Sequence, residues 1–138
     1  MEINWLSVLL AAVSGIVIGA VWFGPKTFFP IWWKALGRSP EQQPGTSNMT
    51  VVFGSTFVGA FVQAIVMAVV ISLVHSSNPD MSWFDGLATG ALMSIGFNAA
   101  TTLGHKLFGG FSIKTWILEI GQDTVSLATM GAIIAAMH

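Results

Sequence analysis

Two carboxylates, Glu119 and Asp123, lie one helical turn apart in an otherwise apolar stretch, with Gln122 and Ser126 close by. Spacings of three and four put all four side chains on one face of a helix. A charged residue at the centre of a membrane helix is unfavourable by about 2.5 to 3.5 kcal/mol, so acids kept there are read first as functional and are expected to have partners. A second polar set, Ser94, Asn98, Thr101, Thr102 and His105, repeats that spacing in the preceding apolar segment, and Gln63 stands halfway along an earlier one. The chemistry open to such a group is binding or passage of a proton, a cation or the polar end of a small solute. A rival from another class is an accessory or scaffold protein, whose acids stay neutral in a hydrogen-bonded polar face that meets a partner subunit.

Other chemistries find less support. His105, Glu119 and Asp123 are acceptable metal ligands by type, but one histidine beside two acids is a weak set, and neither metal nor cofactor is expected. The absence of cysteine removes disulfides, thiolate sites and a cysteine nucleophile. No serine sits in a nucleophile elbow, no glycine-rich phosphate loop is present, and no catalytic residue is assigned. Five basic residues are too few to track a phosphate backbone, which argues against nucleic acid as a partner.

The elements that must position these residues follow from composition. Only 8% of the chain is charged while 54% is hydrophobic, far from the quarter or so of charged residues that a water-facing surface uses. A helix crosses ~30 Å of hydrocarbon with ~20 apolar residues. Four stretches qualify, at about 5–24, 49–74, 83–103 and 113–137, within a single domain spanning 1–138. The first ends at Pro25, the third follows Ser76-Ser77-Asn78-Pro79-Asp80, and the fourth follows Gly109-Gly110. The first stretch lacks a basic n-region and a cleavage site, and is read as a retained span. The expected fold is therefore all-α, a polytopic membrane protein of four transmembrane helices.

Orientation follows from the cations. Lys26, Lys34 and Arg38 lie in the first loop, Lys106 and Lys114 around the third, and none in the N-terminus, the Ser76 to Ser82 loop or the C-terminus. Basic residues in short loops stay cytoplasmic, so both termini are expected outside. Trp5 and Trp83 then mark the outer interface, and Trp22 and Trp116 the inner one. The loop 25–48 begins with Lys26 to Leu36, rich in aromatics and flanked by cations, which suits a short helix in the cytoplasmic interface. Gly37 to Asn48, with Pro40, Pro44 and Gly45, reads as a solvated linker.

Counting inward at ~1.5 Å per residue puts Glu119 level with Asn98 to Thr102 and Asp123 one turn deeper, near Gln63. Small residues recur every four positions at Ala11, Gly15 and Gly19; at Ala60, Ala64, Ala68 and Ser72; at Gly86, Gly90 and Ser94; and at Ala128, Ala132 and Ala136. Such stripes permit close helix packing in lipid, and four of them exceed the needs of one bundle, so a homo-oligomer is expected. The two halves share an alternation of Trp-initiated inward helix, basic loop and outward helix ending in His75 or His138, the pattern of a parallel repeat. For a histidine at such an outer helix end, the ordinary reading is a solvated interface residue.

Asn4-Trp5-Leu6, Gly15-x-x-x-Gly19, Trp22-Phe23-Gly24-Pro25 with Phe28, Trp33, Leu36-Gly37 and Met130-Gly131-x-Ile133 together resemble domain-of-unknown-function family 1761. The likeness covers essentially the whole chain. It implies a small four-helix protein of the bacterial inner membrane and brings no catalytic or binding residues with it. Where the family pattern carries Tyr-Ser-Pro, this chain has Phe23-Gly24-Pro25, so that corner is structural.

Overall fold

The computed structural model describes residues 2–39, 41 and 48–138, and most of the linker expected between Gly37 and Asn48 lies outside the described residues. Helices make up the architecture: α1 (Trp5–Trp22), α2 (Phe29–Ala35), α3 (Met49–Ser77), α4 (Trp83–Met93), a π-helical stretch (Ser94–Ala99), α5 (Ala100–Phe108) and α6 (Ile113–Ala136). No strand occurs among the described residues. Three of the helices, α1, α3 and α6, are each long and apolar enough to cross a membrane. Helical structure also runs without a break from Trp83 to Phe108, but its hydrogen bonding changes over Ser94–Ala99.

Local chemistry sets the ends. Asn4 caps α1 by accepting from the backbone of Leu6 and Ser7, and Ser112 caps α6 by accepting from Thr115. Ser82 and Asp85 form a reciprocal capping box at the start of α4. Gly37 and Gly110 take positive φ just past α2 and α5, at 81° and 82°. At Gly110 the Phe111 N–H returns to Lys106 O at 3.0 Å and the Gly110 N–H to Leu107 O at 3.2 Å, a Schellman closure. α5 runs on past Leu103, where the expected span ends, and the glycine turn is what stops it at Phe108.

Contacts fix the arrangement. Asn4 Nδ2 donates to Met137 O at 3.0 Å, and the rings of His75 and His138 stack 4.1 Å apart, so the start of α1 and the ends of α3 and α6 share one end of the bundle. At the opposite end Trp22 packs on Phe28, Phe23 on Trp32, and Lys34 and Lys114 border one shallow hollow. All five basic residues belong to this second end. The interior is built from small side chains and a few long ones: Ala11, Ala12, Ala64, Met67, Ile71 and Met130 are almost completely buried. Large apolar residues point outward instead, Leu92 and Phe97 being 72% and 75% exposed. That is the inverse of a water-soluble core, and it matches a surface meant for lipid.

The closest packing joins α4 to α6. A Cβ placed on Gly86 would collide with the backbone of Gly131, and one on Gly90 with the backbone of Leu127 and Ala128. The small-residue stripes of α1, α3 and α4 are buried in this single bundle at Ala11 and Gly15, Ala60, Ala64 and Ala68, and Gly86, Gly90 and Ser94. On α6 the buried face runs through Ser126, Met130, Gly131, Ile134 and Ala135, whereas Ala136 is exposed.

Candidate functional site

The π stretch determines which polar residues of the third apolar segment face α6. Ala100 N–H donates to Ile95 O, five residues back, one more than in an α-helix. The extra residue rotates everything after it, so the buried face passes from Gly86, Gly90 and Ser94 to Ala99. Asn98 and Thr102 stay partly buried while Thr101 and His105 turn outward, and neither of the latter side chains makes a hydrogen bond among the described residues. A regular α period groups all of them on one face; the π turn splits that group.

Polar contacts climb the seam with α6. Ser94 and Thr124 hydroxyls lie 2.9 Å apart, and Asn98 Nδ2 donates to Asp123 Oδ2 at 2.7 Å. Trp116 Nε1 donates to Ala99 O at 3.1 Å and to Thr102 Oγ1 at 3.2 Å, and Thr102 passes its own proton to Asn98 O at 2.8 Å. Gln122 Nε2 donates to Ser126 Oγ at 2.9 Å on the other side of α6. That amide lies against α1 beside Gly19, where an added Cβ would stand in ordinary contact with Gln122 Nε2 at 3.4 Å.

The two acids have different surroundings. Glu119 accepts from Lys106 Nζ at 2.9 and 3.0 Å and from Trp32 Nε1 of α2 at 3.0 Å, which makes it part of a tie between α5, α6 and α2. Lys106 also sits 4.7 Å from the centre of the Phe111 ring. This is the only ion pair among the described residues, so Asp123 has Asn98 as a neighbour but no base. Neither Lys106 nor Trp32 stands out as a site residue from spacing alone. The signal that points to Lys106 is its place three residues before the glycine turn, which brings it back beside the first turns of α6.

The Lys106–Glu119 tie gives a direct prediction. Lys106→Met leaves a carboxylate with only Trp32, and Glu119→Gln leaves an ammonium without its counter-charge, so each should lower stability by about 2 kcal/mol. The double variant should lose less than the sum, with a coupling of about 1 kcal/mol or more in thermal or denaturant unfolding in detergent. Strictly additive losses would show that the pair contributes nothing by pairing.

Asp123, Gln122 and Ser126 also border a cavity of about 440 Å³ between α1, α3 and α6. Gln63 of α3 reaches it, as do Gly15, Gly19 and the rings of Phe23, Phe53 and Phe57. The structure thus brings Gln63, Gln122 and Asp123 to one hollow and ties Asn98 and Thr102 behind it, while Glu119 joins the Lys106 cluster at the inner end. No group of three or more potential ligand residues converges as a metal site among the described residues.

A helical bundle with lipid-facing apolar side chains, three membrane-length helices and a polar seam is the architecture of a membrane protein. The chain belongs to the family described as "Protein of unknown function (DUF1761)", whose profile it matches over residues 6–135. No curated protein and no solved structure matches it.

Proposed function

We propose that this is a four-span protein of the bacterial inner membrane, with α2 in the cytoplasmic interface and both termini outside, in which Asp123 receives a proton or small cation for transport or binding. The observation that carries the reading is the asymmetry of the acids: Glu119 is paired with Lys106, whereas Asp123 lines a cavity with no basic residue beside it. A carboxylate at membrane depth facing a cavity, rather than an internal cation, is the usual arrangement of an ion or proton pathway. Purified protein reconstituted into vesicles with an internal pH-sensitive dye tests it: native protein should dissipate an imposed gradient faster than empty vesicles. Equal rates would remove the proton-transport reading and favour the accessory or scaffold alternative.

The topology rests on the gathering of all five basic residues at one end. Single cysteines at Ser77 and Glu41, both exposed, should react with an impermeant thiol reagent from opposite sides, Ser77→Cys in intact cells and Glu41→Cys only after lysis. Reaction of both in intact cells would overturn the four-span assignment.

Assembly into a homo-oligomer is supported by the inner half of α3, where Gly54 and Gly59 are exposed with open space beside them and Val51, Ser55 and Val58 complete a shallow groove. Native mass measurement from mild detergent should find more than one copy. A monomer at every concentration would assign the small-residue stripes to internal packing alone.

A further inference from the structure

We propose that the cavity between α1, α3 and α6 takes a membrane-dissolved organic cation, its charge beside Asp123 and its apolar body among Phe23, Phe53 and Phe57. The inference rests on the reading of Asp123 as a working carboxylate and names the class of ligand that reading leaves open.

Size comes first. A volume of about 440 Å³ falls within the ~300–1,000 Å³ typical of small-molecule sites and far exceeds what a proton or a bare metal ion occupies. Lining comes second. Polar groups are confined to Gln63, Gln122, Asp123, Ser126 and Thr56, while the rest of the wall is aliphatic, glycine or aromatic. An inorganic cation such as Ca²⁺ needs about six to eight oxygens to replace its water, and Asp123 already commits one of its oxygens to Asn98. An organic cation has no such requirement: its charge is shielded by its own carbon, and aromatic faces attract it directly.

Access is the third argument. Phe53 and Phe57 are 59% and 50% exposed, and Gln63 is exposed as well, so the hollow opens sideways between α1 and α3. With these helices spanning the bilayer, that opening faces hydrocarbon, and a ligand entering through it must dissolve there. Charge selects the sign. The carboxylate has no internal base, so a cation completes the site and an anion of the same shape meets Asp123 unfavourably.

The test uses the full chain in detergent, with tetraphenylphosphonium as probe and tetraphenylborate as its anionic counterpart of nearly the same shape. Equilibrium dialysis should show saturable, stoichiometric binding of the phosphonium and only unsaturable partition of the borate. Asp123→Asn should weaken phosphonium binding by about 30-fold or more, and Asp123→Glu, which keeps the charge, should restore part of it. Phe57→Ala, on an exposed wall where folding is not at stake, should weaken it by about fivefold. Unsaturable phosphonium uptake by folded native protein, equal saturable binding of both ions, or equal affinity in the Asn variant would each overturn the inference. If vesicle proton flux nonetheless depends on Asp123, the proton reading stands and only the organic-cation assignment falls.

Discussion

Gly90→Leu will separate α4 from α6 and leave a protein that does not survive extraction as a folded unit. The added Cβ falls on the carbonyl of Leu127 and within 2.9 Å of Ala128 Cα, and both are main-chain atoms that no rotamer change can move aside. Gly86 and Gly131 present the same situation to each other a turn further out, so α4 cannot relieve the clash by sliding toward them. Gly90→Ala alone should lower stability by about 2 to 3 kcal/mol, in spite of the ~1 kcal/mol by which alanine favours a helix over glycine. The leucine variant adds a branched side chain to the same contact and should exceed ~5 kcal/mol, comparable to the whole stability of a small domain. Gly104→Ala is the control: it lies exposed on α5 with nothing within 4 Å, and propensity alone should make it neutral or slightly stabilising. Thermal unfolding in detergent separates the three. A Gly90→Ala variant melting with the native chain would show that α4 and α6 do not touch as closely as this.

Helix positions were legible because a bilayer requires length and apolarity in one continuous piece, a property that composition reports directly. The ends at Trp5, Trp83 and Ile113 follow the same logic, since Asn4, Ser82 and Ser112 are short-range capping signals. That the third apolar segment and α6 face each other was also accessible, because two antiparallel helices joined by a tight turn must pack side by side, but counting set Glu119 level with Asn98 to Thr102, whereas Asn98 meets Asp123 and Glu119 meets Lys106. What spacing did not disclose is the π turn over Ser94–Ala99. No proline or charge announces it, and the shift from a four-residue to a five-residue step became visible only through the outward turn of Thr101 and His105. The division of labour between the acids was hidden for a different reason. Glu119 is satisfied by Trp32, 87 residues away, and by a lysine counted at first only as a topological signal. Periodicity describes one helix at a time, whereas the buried face of α6 is chosen by the helices around it. Its buried Gly131 and Ala135 meet Gly86, and so the packing face falls beside the stripe of alanines rather than on it.

Asp123→Asn is expected to abolish proton flux while leaving the fold nearly intact. The native carboxylate accepts one hydrogen bond, from Asn98 Nδ2 at 2.7 Å, and an asparagine of the same shape keeps a carbonyl oxygen for that bond. Stability should therefore change by no more than about 1 kcal/mol. What disappears is the capacity to take up and release a proton, which an amide lacks. Loss of a positioned proton-transfer group lowers rates by about 10²-fold or more, so the dye signal should fall to that of empty vesicles. Asp123→Leu separates this from a packing role. It removes the acceptor as well, leaves the Asn98 amide without its partner in a partly buried place, and should lower stability by about 1 to 3 kcal/mol. A working carboxylate thus gives two silent fluxes with one stable and one weakened fold. A neutral core residue gives an asparagine variant indistinguishable from the native chain in both measurements. The Asn variant decides between them, because it alone changes the chemistry of the side chain without changing its contacts.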